Sequence, residues 1–208
     1  MNLQNYRFKG AHRLNPLYCG AIALSVIISS AFFLSKFPKG HVLDFAHFMS
    51  DTGNVLFLVC GYLALIIAAI AIKNWRNLML AFTVLIIVTF FVQLIKHFDL
   101  GAIAMRPCGG GEGFPSGHTA GAIALAFLLS LRFSKATVIW YTWAGAIAWS
   151  RVQANAHYPF QVAAGAVFGL LTAYLLVNMF SKQPRSPAGG PGRQESTAAE
   201  AAKTLNRQ

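Results

Sequence analysis

The chain has 208 residues, of which 56% are hydrophobic and 11% charged, with a net charge of +11 and a positive mean hydropathy. A soluble domain carries about a quarter charged residues, so this composition excludes an ordinary water-soluble fold. The cationic excess invites a nucleic-acid partner, but its placement along the chain argues against one.

Residues 1–16 form a polar and aromatic lead-in, expected to be a cytoplasmic or interfacial segment. A helix needs about 20 mostly apolar residues to cross a bilayer core, and Leu17–Ser35, Asn54–Ile72 and Leu78–Ile95 meet that length. Leu17–Ser35 is a span and not a signal peptide, because no small-residue cleavage site follows it ahead of a soluble domain. Between the first two spans, 36–53 reads as an outer loop with Pro38, Gly40, Asp44 and Asp51. Lys73–Asn77 is a short turn, which makes its flanking helices antiparallel neighbours. Thr119–Leu131, Thr137–Trp149 and Phe160–Phe180 are three further spans; the first two are short and need the interior of a bundle. Residues 183–208, rich in Pro and Gly and then polar, read as a disordered cytoplasmic tail. The expected fold is therefore all-α: a polytopic membrane bundle of about six helices over 17–182.

This arrangement sorts the basic residues. Arg7, Lys9, Arg13, Lys73, Arg76, Arg132, Lys135 and the five beyond Phe180 fall on one side, 12 of the 17. Basic residues gather in cytoplasmic loops, so both termini are expected in the cytoplasm. Cys19, Cys60 and Cys108 show neither metal-ligand spacing nor a disulfide framework.

With that topology, the ends near Lys96, His118, Ser150 and His157 all fall on the outer face. The loop from Arg106 through Cys108-Gly109-Gly110-Gly111-Glu112-Gly113 to Pro115-Ser116-Gly117-His118 runs into the start of a helix. Backbone N–H groups at such a start, with the positive end of the helix dipole, favour a phosphate oxyanion; a plain turn with a Ser116 or Thr119 cap is the bland alternative. Lys96 and Arg106 add fixed positive charge. Arg151 follows an apolar run and needs a partner at membrane depth, a role that phosphate can fill. His157 is a candidate nucleophile or base.

Arg106-Pro107, then Pro115-Ser116-Gly117-His118, then Ser150-Arg151 with five residues before His157, resemble the three-part signature of the type 2 phosphatidic acid phosphatase superfamily, which includes glucose-6-phosphatases and vanadium haloperoxidases. The resemblance implies that His157 attacks phosphorus and forms a phosphohistidine. It implies that His118 protonates the leaving group and then activates water. Lys96, Arg106, Ser116, Gly117 and Arg151 would bind the phosphate oxygens, with no metal and no cofactor required. Two positions depart from the pattern. Nine residues separate Lys96 from Arg106, more than the family usually has, and Gln161 stands where an Asp usually orients the nucleophilic His. His157-Tyr158-Pro159-Phe160-Gln161 is similar to the glucose-6-phosphatase branch; Asp99 and Glu112 are the acids that could substitute.

The function so implied is a bacterial inner-membrane phosphatase with its site on the periplasmic face. Its substrate would be a lipid phosphate or diphosphate: phosphatidic acid, phosphatidylglycerophosphate, polyprenyl diphosphate or lipid A. The expected partners are that substrate and the bilayer, not nucleic acid; oligomeric state is left open. Alternatives are a lipid phosphotransferase with the same site, a non-catalytic anion or lipid transporter, and a vanadate-dependent peroxidase, which the many spans disfavour.

Overall fold

The computed structural model describes residues 39–98 and 100–182, and all the regular structure in them is helical. The segments 1–16 and 183–208, the span expected at Leu17–Ser35, and Asp99 lie outside the described residues. Helix α1 (His41–Phe48) passes through a π-helical turn (Met49–Gly53) into α2 (Asn54–Ala71). Then follow α3 (Trp75–Lys96), α4 (Gly117–Arg132), α5 (Thr137–Gln153) and α6 (Pro159–Lys182).

Two boundaries differ from those read in the sequence. The expected outer loop 36–53 is helical from His41 onward, because Val42, Phe45, Ala46 and Met49 repeat at helical spacing and outweigh the polar residues among them. Helix α5 runs on through Ser150, Arg151 and Val152 to Gln153, all four buried, so Arg151 sits on a helix and not in a loop.

Among the described residues, three helical runs are long and apolar enough to cross a membrane: His41–Ala71, Trp75–Lys96 and Pro159–Ser181. Their two faces explain how. On α6, Val162, Ala173 and Val177 are buried, whereas Val167, Leu171, Leu175 and Met179 are exposed at four-residue intervals. On α2 and α3, Leu63, Ile67, Ile86 and Phe90 are likewise exposed. So much outward apolar surface is untenable in water and suits lipid. The chain is an integral membrane protein.

Helix α4 is the axle. Only 16 residues long, it is buried from Ala122 through Ser130 and packs against α2, α3, α5 and α6. Small side chains allow this: a Cβ on Gly169 would lie 2.1 Å from the Ala120 carbonyl oxygen, and one on Gly165 2.4 Å from that of Ser116. The backbones of α4 and α6 therefore touch through two glycines one helical turn apart, the close approach that small residues permit between membrane helices. At the far end, Arg76 of α3 donates to the Phe180 carbonyl of α6, so those two run antiparallel. The π turn, the C-terminal ends of α3 and α5 and the N-terminal ends of α4 and α6 accordingly meet at one end of the bundle.

Candidate active site

Helix α6 begins at Pro159, and the residue two before it, His157, is 2% exposed. Its Nδ1 lies 2.8 Å from the Gly113 carbonyl oxygen and 3.3 Å from Oε1 of Gln161. A carbonyl can only accept, so Nδ1 carries the proton and Nε2 keeps its lone pair. The Gln161 amide is equally constrained. Its Nε2 donates to the carbonyl oxygens of Ile103, at 2.9 Å, and Met105, at 2.8 Å. Its Oε1 must then face the imidazole and the Tyr158 N–H, 3.1 Å away. Gly113 has to be glycine for this to assemble: a Cβ there would sit 2.7 Å from Nε2 of Gln161 and 2.9 Å from the Ala104 carbonyl oxygen.

Burial, then the nearby Arg151 charge, push the His157 imidazole down to about 4, against the opposing hydrogen bonds to Gln161 and Gly113. The ring therefore stays neutral through the whole physiological range. Between the unfolded value of about 6.5 and the folded one, the unfolded chain binds a proton that the native chain does not, so stability falls as pH drops through that window. Histidine-selective NMR in detergent should show His157 titrating near pH 4; a midpoint close to that of a free imidazole would mean that the ring is solvated and not caged.

Around this imidazole stand the cations. The charges of Arg151 and Arg106 act on His157, and those of Arg151, Lys96 and Arg106 act on His118. Lys96 feels the charges of Arg106, Glu112 and Arg151, so the long first segment leaves the lysine within electrostatic range of the arginines. His118, in the first turn of α4, is exposed, in contrast to buried His157. Arg106 donates to the Glu112 carbonyl at 3.2 Å. Arg151 uses Nη1 on the side chain of Ser50 and on its carbonyl oxygen, the latter at 3.4 Å, with an Asp51 carboxylate oxygen 3.8 Å away. Among the described residues, the Nε atoms of both arginines are buried and find no hydrogen-bond partner. A buried, unsatisfied guanidinium N–H is costly, and a bound anion would relieve that cost.

Ser116 occupies the N-cap position of α4, but its side chain does not cap the helix. The hydroxyl is fully buried and paired with that of Thr119 at 3.0 Å, while the Ser116 N–H donates to the Gln161 carbonyl oxygen at 3.0 Å. The first N–H groups of α4, from Gly117 onward, are left uncapped, as helix geometry leaves them. Of the acids considered from sequence, Glu112 contributes its carbonyl to Arg106, and Asp99 is outside the described residues. Asp51, carried by the π turn, brings a carboxylate beside Arg151, and π bulges are frequent at functional sites. Its signal in the sequence was faint: one acid placed directly ahead of an apolar run. Among the described residues, no group of three or more His, Cys, Asp or Glu is placed to hold a metal ion.

Residues 93–185 match the PAP2 superfamily. The chain is 42% identical over 60 residues to the bacitracin transport permease protein BcrC of Bacillus licheniformis, covering 29% of this chain and 30% of that protein. It is 29% identical over 206 residues to the lipid A 1-phosphatase of Rhizobium etli, covering 82% and 87%. It is 32% identical over 100 residues to the lipid A 4'-phosphatase of Bacteroides thetaiotaomicron, covering 46% and 44%. The BcrC and Bacteroides alignments thus span less than half of those proteins. No solved structure matches the chain. The PAP2 match thus spans both histidines and all three cations of the site.

Proposed function

We propose that this protein is a membrane phosphatase that hydrolyses a lipid phosphate or diphosphate through a phosphohistidine at His157. The observation that carries the reading is the pairing of a buried imidazole, with its Nε2 lone pair free, and the two orphaned Nε donors of Arg106 and Arg151. Nε2 attacks phosphorus as the bond to the leaving oxygen breaks, and His118 gives that oxygen its proton. Water, losing a proton to His118, then attacks the phosphohistidine and releases inorganic phosphate. Lys96, Arg106, Arg151 and the α4 N–H groups from Gly117 onward take the equatorial oxygens. Ser116 supports this by holding the start of α4 against α6. Positioning and charge stabilisation account for most phosphoryl-transfer catalysis, and this cradle supplies both.

The lipid A phosphatases among the relatives favour a lipid A-type glycolipid within the lipid-phosphate class. The site is assigned to the periplasmic face of a bacterial inner membrane, in keeping with the distribution of basic residues. The test is a phosphate-release panel with purified protein over lipid A, phosphatidic acid, phosphatidylglycerophosphate, polyprenyl diphosphate and glucose 6-phosphate. Release from at least one lipid, inhibited by vanadate, is expected. Release from none, with lipid or phosphate translocation in proteoliposomes, would establish the transporter reading in its place.

A further inference from the structure

The carbonyl groups that hold Gln161 belong to residues whose side chains do something else. Ile103 and Met105 lie at and just beyond a 3-10 turn (Gly101–Ala104). Their backbones receive both hydrogens of the Gln161 amide, and Ala104 between them accepts the Gly113 N–H at 2.6 Å. Yet Ile103 and Met105 are themselves 52% and 54% exposed. Phe98, at the end of α3, is 60% exposed. From the other loop, Tyr158 and Phe160 stack on each other at 5.9 Å and remain exposed. An apolar lip therefore adjoins a cradle of three cations, and its backbone is bonded directly to the amide that orients the nucleophile.

A ligand that satisfies both surfaces has a phosphate at one end and a hydrocarbon chain beside it. We infer that Ile103 and Met105, flanked by Phe98 and the Tyr158–Phe160 pair, seat the alkyl chain of the substrate, and that filling this lip steadies Gln161 and through it His157. The inference rests on the phosphatase reading above and adds specificity-determining residues to it. Contacts remote from the reacting atom that are realised in the transition state raise kcat as well as affinity. A short-chain phosphate, which leaves the lip empty, should therefore turn over with a lower kcat as well as a higher KM.

The test compares a long-chain lipid monophosphate with its short-chain analogue at fixed detergent composition, in wild type and in the Ile103→Asn, Met105→Asn pair. The long-chain over short-chain ratio of kcat/KM is expected to fall at least tenfold, within the range that a few apolar contacts provide. The kcat of the long-chain substrate should approach that of the short one. The Leu171→Asn, Leu175→Asn pair, on the lipid-facing side of α6, should keep the ratio. If the Ile103 and Met105 variant does not fold, the Ala pair should give the same direction with a smaller drop. A ratio kept within threefold, or equal losses on both substrates, would overturn the lip while leaving the phosphatase reading intact. A wild type that releases phosphate from neither substrate would overturn both.

Discussion

Replacing His157 by Ala is expected to lower phosphate release by on the order of 10⁴-fold or more, the loss typical of removing a nucleophile from a working constellation. The reason is local. Nδ1 is committed to the Gly113 carbonyl, so the ring is locked in the tautomer that leaves Nε2 as the attacking atom. Cys108 is exposed in the glycine-rich loop, but its thiol turns toward the Gly109 carbonyl. The cation cradle survives the substitution, so vanadate binding should weaken and not vanish. His118→Ala should behave differently. It removes the proton donor and the base while leaving the nucleophile, so turnover slows and vanadate binding stays measurable. Tandem mass spectrometry of quenched protein should then find phosphate on the peptide containing His157 in the His118 variant and none in the His157 variant. A His157→Ala protein active within tenfold of wild type would end the covalent mechanism.

What the sequence disclosed and what it hid have a common physical cause. Arg106, His118, Arg151 and His157 stood out as candidates because polar groups at the ends of apolar runs are expensive there. The helices were legible for the same reason, although α1 was obscured by Pro38, Gly40 and Asp44 just before or within it. The Ser50 and Asp51 partners of Arg151 were hidden because they arrive from 101 and 100 positions away on an irregular turn. The α4–α6 contact was present in the sequence as Gly165 and Gly169, one helical turn apart, a spacing that identifies close helix packing. The cage around Gln161 could not be read at all. Its acceptors are the backbone carbonyls of Ile103 and Met105, and a carbonyl leaves no trace in the identity of its residue.

That cage decides how the departure at Gln161 works, and it makes Gln161→Glu a more damaging change than its shape suggests. The residue is fully buried, and Nε2 lies 2.9 Å from the Ile103 oxygen and 2.8 Å from the Met105 oxygen. A carboxylate brings an oxygen to that place, facing two carbonyl oxygens with no hydrogen to give. If it stays ionised, both carbonyls lose their donor beside a buried charge; if it takes a proton, one still goes unsatisfied. Each buried polar group left unmade costs about 1–3 kcal/mol, enough to displace the 101–105 turn. That turn carries the Ala104 oxygen on which the Gly113 N–H depends, so the Gly113 carbonyl moves away from Nδ1 of His157. Gln161→Ala loses the same donors but adds no charge and leaves space in which water can satisfy the two carbonyls, so the turn is expected to stay in place and the Gly113 carbonyl to go on fixing the tautomer. We expect kcat to fall on the order of 10²–10³-fold for the Glu variant, a few kcal/mol of lost transition-state stabilisation, and about tenfold for the Ala variant, with the lower melting temperature also in the Glu variant. The activity order wild type, Ala, Glu is the discriminating result, since orientation by charge alone would put the Glu variant first. A Gln161→Glu protein as active and as stable as wild type would show that the amide does not bind the Ile103 and Met105 carbonyls, and that Gln161 serves His157 only as an acceptor.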